Sequence, residues 1–249
     1  MFTGAAGTSR LDDVSVRALS PVPPPLARAF ELVKPRPEER SLPLADPGKI
    51  GNPRPLRPVT AKGGVLVYDD GSEAALWGVN FQTALSWEYQ GRLTNVGIPL
   101  TVEALNRVTD ANFEHLKYLG ADIVRLHLLP SDFSDGEGNV VDSVYLDALD
   151  HILAKCHEKG VYVYLTLMNE KNTAHLKGSF MAGRRERGEW FFDEAFVEKS
   201  RRFMAGMLTR KNRYTGRRYA NDPAIAVLEP VNEPDYADYA LLQTSAKLG

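Results

Sequence analysis

Residues 224–236 read AIAVLEPVNEPDY, an apolar run that stops abruptly at Asn232 and Glu233, beside Pro234. A glutamate at the mouth of a buried strand has its charged form disfavoured, which suits a general acid for a neutral leaving group. The alternative is a carboxylate that caps a helix beginning after Tyr236 or pairs with a surface base. Asn232 offers a donor and an acceptor side by side, the pattern that grips a vicinal hydroxyl. Other polar residues interrupt or close apolar runs in the same way: Asn80 in LWGVNF, Arg125 and His127 in ADIVRLHLLP, Asn169 in VYVYLTLMN. Arg125 either keeps a carboxylate ionised through charge-assisted hydrogen bonds or forms a structural ion pair with Glu229. His127 is either a hydroxyl-binding group or a satisfied core histidine, and Asn80 and Asn169 either bind ligand or end their strands as turn residues. Each such group, buried alone, costs ~1 to 3 kcal/mol, so a ring of them needs mutual pairing or a ligand.

The elements that must position these residues alternate in period. TVEALNRVTDANFEHLKYLG, SVYLDALDHILAKCHEKG and FDEAFVEKSRRFMAGMLTRKN have apolar residues at helical spacing, and the first two close on glycine. Between them lie short β-rich runs, giving four strands separated by helices, the pattern of a parallel sheet with crossovers. A doubly wound sheet predicts a Gly-rich turn after the first strand, whereas GVNFQTALSWEY follows here. The pattern therefore predicts an α/β fold of the (β/α)8 TIM-barrel type, of which about the first four βα units are present. In such a barrel the strand C-terminal ends form the concave face, and the polar residues above all fall there. Trp87 and Trp190 fall in segments expected on its open rim, where flat rings stack on the apolar faces of sugars.

Upstream, eleven of the sixteen prolines precede residue 59, which excludes long helices and central strands there. Residues 1–62 are read as a proline-rich arm or linker, and 63–249 as the barrel half. GGVLVYDDGSEAALWGVN places Asp70-Gly71 between apolar segments, predicting a β-hairpin at the start of the second part. A net charge of −2 gives no reason to expect nucleic acid or an anionic membrane surface as partner. No apolar run approaches the ~20 residues that cross a bilayer. Cys156, the single cysteine, is read as core packing, and the five histidines lack metal-ligand spacing, so neither metal nor organic cofactor is expected. The first residues lack the basic start and apolar stretch of a secretory signal, which leaves localisation open.

WGVN, ADIVRLH and AIAVLEPVNEP together resemble the N-terminal half of a cellulase-like glycoside hydrolase of family 5, or a close relative in the same clan, over roughly residues 63–236. The resemblance implies retaining hydrolysis of a β-linked polysaccharide such as β-glucan, with Glu233 as general acid and then base. It implies that Asn232 bonds the sugar 2-hydroxyl and that Arg125 orients the nucleophile, while VRLH leans toward glucanases over mannanases. His127, Asn80, Asn169 and Trp87 complete the expected substrate contacts. The family's nucleophile lies on strand seven, which these four units do not reach, and Glu88 and Glu170 do not match its position. The chain alone is then expected to be inactive, and a half-barrel complete in itself to dimerise. The alternative is a noncatalytic carbohydrate-binding or assembly protein on a degenerate half-barrel.

Overall fold

The computed structural model describes residues 8–11, 14–17, 55–83, 85–169, 178–182 and 193–233. The chain divides into two compact units, residues 1–47 and 48–249. In the first, β1 (Thr8–Leu11) and β2 (Val14–Arg17) pair antiparallel. The rest of the expected arm as far as residue 54 lies outside the described residues, as do Glu170, Trp190, Pro234 and the helix expected after Tyr236.

The second unit opens with an antiparallel hairpin, β3 (Val59–Lys62) and β4 (Val65–Tyr68). Its turn is at Gly63-Gly64, where both residues have positive φ, 61° and 86°, as a tight two-residue hairpin loop demands. The hairpin thus starts one strand earlier than the Asp70-Gly71 signal indicated. Asp70-Gly71 makes a second reversal instead, which brings Glu73 into a single antiparallel bridge with Val67.

Four parallel strands follow in sequential order: β5 (Gly78–Asn80), β6 (Ile123–His127), β7 (Tyr162–Thr166) and β8 (Ile225–Glu229). Between them run α1 (Trp87–Asn95), α2 (Val102–Leu119), α3 (Val144–Lys159) and α4 (Glu194–Thr209). A doubly wound sheet reverses its strand order part-way and so puts helices on both faces. Sequential order with right-handed crossovers keeps every helix on one face, the arrangement of half a (β/α)8 barrel. Ser143 and Asp193 cap α3 and α4, their side chains accepting from the backbone N–H of Leu146 and Phe196. The helix α1 was not expected; Trp87 was placed on a loop, because the segment is only nine residues long and has a helix-weakening glycine, Gly91, at its centre. No described helix is long and apolar enough to cross a membrane.

Burial along β6 alternates. Val124 and Leu126 are fully buried on the helix side, against Leu149, Ile152 and the other residues of one apolar core, while Ile123, Arg125 and His127 are half-buried on the opposite face. Cys156 is fully buried in that core, and burial raises its thiol well above the usual range, in keeping with a packing role. Gly78 brings β5 close to β6: a side-chain carbon there would lie 2.0 Å from the Ile123 carbonyl oxygen.

Candidate active site

The register of the sheet lines up the polar residues on its concave face. Asn80 pairs with Arg125 and Tyr164 with Val227; one rung further along, His127, Thr166 and Glu229 lie abreast. Side chains two apart on a strand share a face, so Arg125, His127, Tyr164, Thr166, Val227 and Glu229 project together. Arg125 is at the centre. Its Nη2 donates to Glu229 Oε2 at 2.5 Å and to Asn232 Oδ1 at 2.8 Å, and its guanidinium lies 5.0 Å from the centre of the Tyr164 ring. Asn232, 5% exposed, passes the chain on: its Nδ2 donates to Asn169 Oδ1 at 2.5 Å and its backbone N–H to the Met168 carbonyl at 2.9 Å. Thr166 Oγ1 donates to Glu229 Oε2 at 2.5 Å.

These contacts set the charges. Burial pushes the Glu229 carboxyl up, but the Thr166 and Arg125 hydrogen bonds and the Arg125 charge outweigh it and hold the group below its ordinary value. His127 is held below its ordinary value, first by burial and then by the Arg125 charge; a hydrogen bond with Asn169 and the charges of Glu229 and Glu233 work the other way. His127 is thus a neutral imidazole near pH 7, with Nδ1 buried and lacking a hydrogen-bond partner. Glu233 is itself exposed, where the sequence led to a buried acid, and its backbone has φ of 46°, the only positive φ among described non-glycine residues. A left-handed conformation costs a side-chain-bearing residue about 1 kcal/mol or more, and such outliers gather at functional sites.

Beside this string of hydrogen bonds lies a cleft of about 260 Å³, walled by Asn80, His127, Asn169, Trp87 and Glu88. The Trp87 side is open, the residue being 68% exposed. Glu88 Oε2 accepts from Gln82 Nε2 at 3.2 Å across the same wall. Outside the cleft wall, Asp132 accepts from Gln90 Nε2 of α1 at 3.1 Å; burial raises its carboxyl to about 6, with the Gln90 bond opposing.

A group whose folded pKa is raised contributes stability below its unfolded value, near 4, and loses it as pH rises through about 6. Asp132→Asn, which keeps the site neutral throughout, is therefore expected to stabilise the fold by about 3 kcal/mol at pH 7.5 and to change little at pH 4. Urea unfolding at the two pH values checks this.

No family model matches the chain. Among curated proteins it is 31% identical over 117 residues to mannan endo-1,4-β-mannosidases 5 and 2 of Arabidopsis thaliana, and equally to mannan endo-1,4-β-mannosidase 2 of Oryza sativa. The matches take in 41% of this chain but only 26–27% of each relative. Over these 117 residues the chain is similar to the mannan endo-1,4-β-mannosidases, and it spans about a quarter of their length. Similar solved structures include an endo-1,4-β-mannanase from Rhizomucor miehei (20% identity, TM-score 0.49, 71% of this chain and 48% of that one). Another is a β-glucanase from Saccharophagus degradans (18% identity, TM-score 0.43, 78% of this chain and 49% of that one).

Against the family pattern, the sheet brings Arg125, Asn169 and Asn232 into one hydrogen-bonded string and puts Asn80, His127, Asn169 and Trp87 around one cleft. Glu233 follows Asn232 directly, and its charge is felt at His127. Arg125 makes the ion pair with Glu229 that the sequence left open, so in this chain its carboxylate partner lies on β8. The family lean toward glucanases has no counterpart in the curated relatives, all three of which are named as mannosidases. Sequence reasoning did not assign Thr166 or Gln82 to the site. Thr166 ends β7 as Asn80 ends β5, and that shared position was the available signal.

Proposed function

We propose that this chain is part of a retaining glycoside hydrolase acting on a β-linked polysaccharide, β-mannan being the first substrate to test. Glu233 is the general acid that protonates the departing glycosidic oxygen and then the base that activates water. Asn232 presents its amide to a sugar hydroxyl, in an orientation set by Arg125 and Asn169. Asn80, His127 and Asn169 offer hydroxyl contacts in the cleft, and Trp87 stacks on a sugar ring. Because Glu233 is exposed in the free protein, bound glycan supplies the desolvation that keeps it protonated. Retention needs a second carboxylate ~5 to 5.5 Å away. Glu229 is held by Arg125 and Thr166, and Glu88 is bonded to Gln82, so the proposal places the nucleophile outside the described residues. The observation that carries the reading is the string Arg125–Asn232–Asn169, which fixes the residue before Glu233 at the ends of four parallel strands.

The test is release of reducing ends from β-mannan and from β-glucan, with affinity electrophoresis on both polymers in parallel. Turnover of either supports the proposal. Retarded migration without turnover, in a protein extended to carry the second carboxylate, supports the noncatalytic binding protein, and neither result overturns the glycan reading altogether. Trp87→Ala is expected to weaken polymer binding about tenfold, the loss of one stacked ring. Unchanged migration takes Trp87 out of the site.

A further inference from the structure

Among the described residues Glu229 is the remaining charged group on the concave face of the sheet, and its contacts are those of a component with a task. It lies on β8, four residues before Glu233, abreast of Thr166 and His127. Its Oε2 receives both Thr166 Oγ1 and Arg125 Nη2 at 2.5 Å. The same Nη2 of Arg125 also reaches Asn232, while Arg125 Nε is buried without a hydrogen-bond partner. One guanidinium nitrogen therefore carries both contacts, and the carboxylate on one side of it determines where it meets the amide on the other. Asn232 is held at both ends, Oδ1 accepting from Arg125 and Nδ2 donating to Asn169, which leaves the amide a single orientation. A relay runs from Thr166 through Glu229, Arg125 and Asn232 to Asn169, with Glu229 as its only anion.

We infer that Glu229 is a positioning residue: it holds Arg125 against Asn232, and so sets how Asn232 and the adjoining Glu233 face the cleft. The inference rests on the reading of Glu233 as acid/base. It also assigns Glu229 an electrostatic task. The charged and titratable groups around it are Arg125 and His127 on β6 and Glu233 beyond β8, with Tyr164 on β7 under the guanidinium. With Glu229 ionised, the Arg125 charge is offset where His127 and Glu233 feel it. With Glu229 neutral, an uncompensated cation faces both.

The experiment follows His127 by proton–carbon NMR in the full chain through a pH titration, its resonance identified by its absence in His127→Gln. The Asn232 side-chain amide pair is observed in the same samples. Glu229→Gln, which keeps size and hydrogen-bonding capacity, is expected to lower the His127 midpoint and to broaden the Asn232 pair. Glu229→Asp restores the charge but not the reach, so it returns the midpoint toward wild type while Asn232 stays broadened. Unchanged His127 and Asn232 signals in Glu229→Gln, with only a lower melting temperature, overturn the inference in favour of a purely structural ion pair. Should Glu229→Gln not fold, Thr166→Val loosens Glu229 without altering a charge. Broadened Asn232 signals at a constant His127 midpoint support the relay, and sharp ones overturn it. The two readings fail separately. NMR responses as expected in a wild-type protein that neither binds nor cleaves glycan sink the glycosidase reading alone, whereas wild-type turnover without those responses sinks the relay alone.

Discussion

Wherever the wild-type protein hydrolyses β-mannan, Glu233→Gln is expected to lower kcat by about 10³-fold or more and to leave oligosaccharide affinity within about threefold. Glutamine matches glutamate in size and keeps a hydrogen-bonding head, but it cannot deliver a proton to a departing alkoxide. The backbone at 233 is left-handed for either residue, so the substitution adds no strain of its own. Choice of leaving group separates acid catalysis from binding. An aryl glycoside whose phenol departs unassisted needs no proton, so its glycosyl-transfer step should lose far less rate than the polymer's. A uniform loss on both substrates, accompanied by weaker binding, would mean that Glu233 holds the sugar and does not protonate the bond. Survival of polymer turnover would remove Glu233 from the mechanism.

The second large effect is expected at Arg125. Replacing it by methionine leaves Glu229 a half-buried anion with Thr166 as its remaining hydrogen-bond donor among the described residues, and removes the donor that fixes Asn232. Removing one partner of a buried pair typically costs 3 to 5 kcal/mol. The side chains of Arg125 and Glu229 keep 27% and 19% of their surface exposed, so the lower end, about 3 kcal/mol, is expected. In a protein of this size that corresponds to a fall in Tm of roughly 6 to 12 °C. The double variant Arg125→Met, Glu229→Leu should recover most of this, because it removes the stranded charge and adds apolar surface. It should not recover turnover, since Asn232 still lacks its donor. A single variant as stable as wild type would show that the pair adds nothing to the fold.

What could be read in advance divides along physical lines. Strands β5 to β8 and helices α2 to α4 announced themselves because each buries one face: continuous apolar runs for the strands, 3.6-residue spacing for the helices. Asn80, Arg125, His127, Asn169 and Asn232 stood out because polar groups in such runs are costly unless paired, and the structure pairs Arg125, Asn169 and Asn232 with one another. Partner choice was not legible. Arg125 had two candidate roles in the sequence, and the register that sets Glu229 abreast of His127 decides for the ion pair. Short elements escaped for want of length: α1, with nine residues and Gly91 at its centre, and the hairpin that turns at Gly63-Gly64 ahead of a more familiar Asp-Gly signal. The exposure of Glu233 escaped because a residue just past a strand end can lean into the cleft or out of it, and the residue type alone does not say which.

The left-handed backbone at Glu233 also bears on how the protein would respond to selection in the laboratory. Glycine and asparagine occupy that conformation at less cost than glutamate, so at this one position the side chain suited to proton transfer and the residue best suited to the chain path differ. A library screened for heat resistance alone should accumulate glycine or asparagine at 233, gaining about 1 kcal/mol while turnover disappears. A library screened for sugar release should keep glutamate and find its heat resistance elsewhere in the chain.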